Sequence, residues 1–114
     1  MFTGRRLLLL AAALAGCSRR APLWLSIESR DGGRSLGLHA AAGLRINARL
    51  GPALELDDGR VIRFTSSAVT PDSAYFAAAP TAWLPDGTGQ PHGVLRAGVC
   101  EEGSRVCRVV AVRL

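Results

Sequence analysis

Apolar and polar side chains alternate with a period of two along most of the chain beyond residue 22. The clearest run extends from Leu44 to Leu50, in which every second residue is apolar: Leu44, Ile46, Ala48 and Leu50. Such alternation is typical of β-strands with one buried face. Shorter runs of the same kind predict further strands at residues 23–28, 36–40, 54–56, 61–65, 81–84, 94–100 and 106–114.

Turn-forming residues separate these runs and set the fold class. Gly, Pro and Asp clusters such as Asp31–Gly33 and Asp57–Gly59 lie between them, and residues 70–92 are rich in proline and glycine. Seven or eight short strands without an amphipathic helix predict an all-β fold, a small immunoglobulin-like antiparallel β-sandwich. We expect one such domain over residues 23–114.

The first sixteen residues have a different pattern. Arg5 and Arg6 precede an unbroken apolar run, Leu7 to Ala15, which is followed by Gly16 and Cys17. A basic start, a short apolar stretch and small residues at its end predict a secretory signal peptide. The run is too short for a transmembrane helix, which needs about 20 apolar residues.

The end of this segment, Leu14–Cys17, resembles the lipobox of bacterial lipoproteins. That resemblance implies that residues 1–16 are removed, that Cys17 carries a lipid anchor to the membrane, and that residues 17–22 form a tether. The chain would then be a cell-envelope protein. Because Ser18 rather than Asp follows the cysteine, the resemblance implies the outer membrane, facing the periplasm, in a Gram-negative cell.

The charge composition excludes several functions. All 14 basic side chains are arginines against 9 acidic residues, so no lysine nucleophile or P-loop lysine exists. Two of the arginines lie in the predicted signal peptide, and the others are scattered rather than grouped with aromatic residues. We therefore expect no nucleic-acid partner.

Two cysteines remain once Cys17 is assigned to a lipid, namely Cys100 and Cys107. If Gly103 and Ser104 form the centre of a tight hairpin turn, these cysteines lie directly opposite each other. Opposed positions on antiparallel strands are close enough for a disulfide, and thiols outside the cytoplasm tend to be oxidised. We expect this bond to form.

The role of that disulfide stays open at this point. It lacks the Cys-x-x-Cys spacing of thioredoxins. Neither histidine has ligand spacing to the cysteines, so we expect no metal and no other cofactor. The pair is either a structural cross-link at the tip of the last hairpin or a redox site.

The last two strands resemble the end of a known β-sandwich family, the periplasmic N-terminal domain of the thiol:disulfide interchange protein DsbD. The similar residues are Leu95–Arg108, with a cysteine on each side of a Glu/Gly turn, and the closing strand Val109–Leu114. An earlier segment, Gly43–Ala48, is similar to the family's Gly-aromatic-His-Ile-Asn strand, with Leu44 and Arg45 in place of the aromatic residue and the histidine.

The resemblance, which covers residues 36–114, implies thiol–disulfide exchange or a redox relay through Cys100 and Cys107. A thioredoxin-like or other envelope protein would be the partner. It also implies a cap loop at residues 71–76 that shields the disulfide, with these candidate residues: Asp72, Tyr75 and Phe76. The alternative function is a non-catalytic lipoprotein domain that binds or scaffolds another protein and whose disulfide is structural, so whether the chain is an enzyme stays open.

Overall fold

The computed structural model describes residues 21–114, and the predicted signal peptide, Cys17 and most of the tether lie outside this range. Within the described residues, eight strands follow one another: β1 (Leu23–Arg30), β2 (Gly33–Ala40), β3 (Leu44–Ile46), β4 (Ala53–Leu56), β5 (Val61–Arg63), β6 (Thr81–Pro85), β7 (Gly93–Glu101) and β8 (Cys107–Arg113). No helix occurs in residues 21–114, so none there is long and apolar enough to cross a membrane.

The strands form two antiparallel sheets. One has the order β1-β2-β6, and in the other β7 is central, with β3 and β4 on one side and β8 on the other, while β5 pairs with β4. The two sheets enclose one core, to which both contribute: Leu23, Leu36, Leu38, Ala82 and Leu84 from the first, and Ile46, Leu54, Leu56, Leu95, Ala97 and Val99 from the second. The predicted all-β sandwich of seven or eight strands is confirmed.

The alternation places the buried faces as predicted, because successive residues of a strand point to opposite sides of the sheet. In β7, Leu95, Ala97 and Val99 face the core. The residues that alternate with them, Arg96, Gly98 and Cys100, therefore face the outer side of the five-stranded sheet.

The prediction of a strand from Leu44 to Leu50 is correct only for its first part. β3 ends at Ile46 because the Oδ1 atom of Asn47 accepts the backbone N–H groups of Arg49, at 2.7 Å, and of Leu50, at 3.1 Å. An Asn side chain that bonds to the backbone two or three residues ahead turns the chain. β4 then resumes pairing with β7, so an outward loop of six residues, 47–52, interrupts this edge.

The proline-rich region also contains ordered pairing. The Val69–Phe76 bridge, together with a bond from the N–H of Thr70 to the carbonyl of Tyr75 (2.8 Å), defines a small hairpin of residues 68–77. Its second arm joins the free edge of β3, since the N–H of Phe76 donates to the carbonyl of Ile46 at 3.1 Å. This 68–77 hairpin extends the five-stranded sheet beyond β3.

Candidate functional site

The disulfide joins the last two strands as predicted. Cys100 of β7 and Cys107 of β8 are directly opposed, with their Cα atoms 4.0 Å apart. The neighbouring pair is also in the predicted register, because the N–H of Glu101 donates to the carbonyl of Val106 at 3.1 Å. The sequence therefore defined both the bond and the register of the hairpin.

The turn itself is centred one residue earlier than expected. The N–H of Ser104 donates to the carbonyl of Glu101 (3.2 Å), so Glu102 and Gly103 are its central residues rather than Gly103 and Ser104. Gly103 has a φ of 72°, a conformation that favours glycine at the third position of a turn.

The two cysteines differ in exposure. Cys100 is completely buried, although it is not part of the core cluster between the sheets. Cys107 is exposed on β8, which among the strands of residues 21–114 pairs with β7 alone and forms an edge. In this part of the chain the disulfide is therefore accessible from the side of Cys107 rather than from that of Cys100.

A cation and an aromatic ring continue the same row across the outer face. Arg45 of β3 is the register partner of Cys100, and partners on adjacent strands share a face. Tyr75 of the 68–77 hairpin forms a bridge with Asn47, and its ring centroid lies 3.8 Å from the guanidinium carbon of Arg45. Four neighbouring chain segments thus present, in order, Tyr75, Arg45, Cys100 and Cys107, which we call the sulfur row.

The residues of the predicted cap loop are divided between different surroundings. Tyr75 reaches the face of the disulfide but is separated from Cys100 by the strand of Arg45. Phe76, the next residue, points to the other side and packs against the core, because extended segments alternate. Residues 71–74 form the tip of the 68–77 hairpin rather than a lid placed over the sulfur atoms.

Asp72 serves that hairpin tip. Its Oδ1 atom accepts the Thr70 hydroxyl at 2.6 Å and the Ala74 N–H at 3.1 Å. The Thr70 hydroxyl, followed by the Ala74 N–H, holds the pKa of the Asp72 carboxyl below its ordinary value. The carboxylate is engaged in local bonds and does not belong to the sulfur row.

Arg45 is the site residue that sequence reasoning did not identify. It was only noted as a departure from the family's histidine, on the polar side of the run that begins at Leu44. That alternation correctly indicates its face. Its position beside Cys100 depends on the pairing of β3 with β7, which no local pattern specifies.

Neither histidine belongs to the sulfur row, although His39 lines a cleft together with Arg45. His39 stacks on Trp24, with ring centroids 4.2 Å apart, and its Nε2 atom is 2.9 Å from the hydroxyl oxygen of Ser26. His92 is exposed just before β7, at the opposite end of that strand from Cys100. Residues 21–114 contain no group of three or more His, Cys, Asp or Glu side chains arranged to hold a metal ion.

Comparison of the chain with protein-family models, with curated proteins and with solved structures found no match.

Proposed function

We propose that this protein is a lipid-anchored envelope module for thiol–disulfide exchange, with Cys100 and Cys107 as its redox pair. The observation that carries the proposal is the asymmetry of the disulfide: one cysteine is exposed on an edge strand and the other is buried beside an arginine. An accessible sulfur and a cationic neighbour are features of reactive rather than inert cysteine sites.

The reaction consists of two displacements at sulfur. A thiolate of a dithiol partner attacks the Sγ atom of Cys107, a new S–S bond forms, and Cys100 leaves as a thiolate. The partner's second thiolate then attacks the partner's own sulfur in this mixed disulfide, and Cys107 leaves as a thiolate. The partner loses two electrons and two protons and becomes a disulfide, while this chain gains them and becomes a dithiol.

The charges around the entry side suit an anionic attacking group. Arg105, two residues before Cys107, is exposed and forms no salt bridge with any residue in the range 21–114. Arg108, the next residue after Cys107, is also exposed and forms no salt bridge in that range, but as the register partner of Val99 it starts from the other side of the sheet. Glu101 ends the other arm of the hairpin, and Glu102 lies in the turn. Unpaired arginines near an exposed sulfur attract a thiolate and raise its local concentration at moderate ionic strength.

Two measurements test the proposal. The reduction potential of the disulfide, obtained by equilibration with glutathione redox buffers, is expected to lie above about −300 mV, the value below which structural disulfides are typically found. Reduced thioredoxin is expected to transfer electrons to the oxidised chain within minutes. A potential below that limit, together with no reaction with thioredoxin, would contradict the redox function.

The alternative is a binding domain with a structural disulfide. It is favoured by one observation: Leu50, 54% exposed, and Val109, 68% exposed, flank Gly98 on the same face as the disulfide, which is an apolar surface suited to protein contact. A variant with both cysteines replaced by serine separates the two functions. Retention of partner binding despite lower stability would support the binding domain.

The membrane anchor is a separate part of the proposal. Intact-mass analysis of protein extracted from membranes should show cleavage before Cys17 and a mass increase corresponding to a diacylglyceryl group and acyl chains. The Cys17→Ser variant is expected to be released from the membrane fraction. An unmodified Cys17 in the membrane-extracted protein would contradict the lipoprotein assignment.

A further inference from the structure

Arg45 has an unusual environment for a charged residue. Its Nε atom has no access to solvent and no hydrogen-bond partner. Its guanidinium lies on the Tyr75 ring, and no carboxylate of residues 21–114 is within 4.0 Å of it. A cation–π contact stabilises the cation without neutralising its charge. The half-buried positive charge is therefore available to another negative group.

One candidate for such a group is the sulfur of Cys100, the residue opposite Arg45 on β7. The two residues are register partners on one face, and the bond from the N–H of Asn47 to the carbonyl of Gly98 (2.8 Å) fixes this register. Opposed residues of antiparallel strands have their Cβ atoms about 5 Å apart. In the oxidised protein this sulfur is neutral, so the charge of Arg45 has no partner.

Reduction changes this situation. When Cys107 is attacked, Cys100 must leave as a thiolate at a position that is completely buried. Burial alone disfavours a thiolate and would make Cys100 a poor leaving group, whereas a cation within a few ångströms favours it. The position of Arg45 counteracts the desolvation that the fold imposes on this sulfur.

We infer that Arg45 is a positioning residue of the redox pair, whose guanidinium stabilises the thiolate of Cys100 when the disulfide opens. The inference rests on the proposed exchange function and adds an electrostatic partner for the departing sulfur. Tyr75 holds the guanidinium in place from the other side. The four residues of the sulfur row then act together. Cys107, whose sulfur is attacked, lies at one end, and Tyr75, which positions the cation, lies at the other.

Other charged and titratable groups surround this pair. Glu102 lines the same cleft as Arg45, and its carboxylate would disfavour a nearby thiolate. Arg96, four residues before Cys100 on β7, is neutralised by Glu55 at 2.6 Å. The guanidinium of Arg49 is directed to the backbone carbonyl of Asp72, at 2.7 Å. Within residues 21–114, the other titratable groups beside this pair are Cys107, opposite Cys100 on β8, Tyr75, on the guanidinium of Arg45, and His39 of β2, which lines the same cleft as Arg45 and Glu102.

The first test uses the oxidised full-length chain, so it does not depend on the stability of the reduced form. The rate of reduction by 2-mercaptoethanol, an uncharged thiol, is measured as a function of pH. Arg45→Met keeps the unbranched stem and removes the charge, and we expect it to react several-fold more slowly than the original chain. Arg45→Lys should recover most of the rate, and Arg49→Met, the matched control, should leave it unchanged.

The second test titrates the thiols of the reduced chain, with Cys17 replaced by serine, by thiolate absorbance near 240 nm. We expect Arg45→Met to raise the midpoint of the more acidic thiol by about 1 pH unit, a tenfold decrease in its acid dissociation constant. Circular dichroism of the same samples establishes that the fold is retained. An unchanged midpoint, or an equal shift in Arg49→Met, would overturn the inference.

The outcomes for the two proposals are distinguishable. Neither 2-mercaptoethanol nor the absorbance titration involves a protein partner. Suppose that Arg45→Met slows reduction by 2-mercaptoethanol and raises the thiol midpoint as expected, but that the original chain does not react with thioredoxin. This result would refute the exchange function and leave the role of Arg45 in place. Rapid exchange with thioredoxin that is equally fast in Arg45→Met would refute the role of Arg45 alone.

Discussion

The two ends of the sandwich each contain an arginine whose Nε atom is buried and without a hydrogen-bond partner, and the fold holds the two in different ways. Arg34 lies on β2 near the start of β7 and is only 7% exposed. Its terminal nitrogens donate to the carbonyls of Asp86, at 3.0 Å, and Gly89, at 2.8 Å, with a longer contact to Thr88. At the other end, Arg45 contacts an aromatic ring and makes no hydrogen bond through its guanidinium to any residue of the range 21–114.

The difference separates a structural cation from an available one. Backbone carbonyls stabilise the Arg34 charge and, in return, have their own hydrogen-bonding requirements satisfied, so this arginine fixes the 86–89 loop. An aromatic ring orients the Arg45 charge but leaves its N–H donors unused. Of these two arginines of the same sandwich, Arg45 rather than Arg34 can therefore respond to a new negative charge.

The largest stability effect is expected at the structural cation. Arg34→Met should lower the free energy of unfolding by about 3 kcal/mol, because the carbonyls of the 86–89 loop lose charged donors in a buried place. Arg45→Met should lower it by less than about 1 kcal/mol, since only a cation–π contact is lost. Urea unfolding of the oxidised proteins measures both, and equal losses would refute the distinction between the two ends.

The next effect concerns the disulfide end. Replacement of both Cys100 and Cys107 by serine should lower the free energy of unfolding by about 2.5 kcal/mol, the value expected from chain entropy for a loop of eight residues. Because β8 pairs only with β7, hydrogen exchange should accelerate first in the amides of β8. Exchange that accelerates equally around Arg34 would show that the two ends are not independent.

Glycine turns at the two ends provide a finer comparison. Gly87 and Gly103 have φ values of 79° and 72°, so alanine at either position is strained by about 1 kcal/mol. A Cβ atom at Gly87 would lie 3.1 Å from a terminal nitrogen of Arg34, whereas at Gly103 it would meet nothing within 4 Å. We expect Gly87→Ala to destabilise the protein more than Gly103→Ala in thermal unfolding, and the reverse order would contradict the tight fit of the Arg34 loop.

The strands and the register of the last hairpin could be predicted from the sequence, whereas the two arginine sites could not, and the reason is physical. Alternation reflects burial on one face, so it correctly indicated the strands, and the register of the last hairpin followed from its short turn. The early end of β3 depended on the side chain of Asn47, which hydrophobic periodicity does not include. Both arginine sites depend on contacts between distant parts of the chain. Arg34 bonds to the 86–89 loop, more than 50 positions further along the sequence, and Arg45 lies beside Cys100 through strand pairing.

Tyr75 and Phe76 of the predicted cap loop are another case in which strand pairing decides the position of a side chain. Tyr75 and Phe76 are adjacent and aromatic, so composition alone assigns them one role. Pairing of the 68–77 hairpin with β3 puts them on opposite faces, one beside Arg45 and the other against the core. Only the pairing shows which of the two rings lies on the side of the disulfide.

The smallest expected effect is a pH dependence at the tip of that hairpin. The pKa of Asp72 is lowered in the folded state by the Thr70 hydroxyl and the Ala74 N–H, so its ionised form stabilises the fold above the ordinary value of 3.8. This contribution should disappear as the pH falls through the lowered folded-state pKa, where the carboxylate becomes protonated. In thermal unfolding, Asp72→Asn should therefore be slightly less stable than the original chain at neutral pH and nearly equal to it once the pH is below the lowered folded-state pKa, where the carboxylate is neutral. Thr70→Val removes the main donor and should show the same pH dependence. If the difference in stability between either variant and the original chain stays constant from neutral to acidic pH, the carboxylate charge does not hold the hairpin that positions Tyr75 on Arg45.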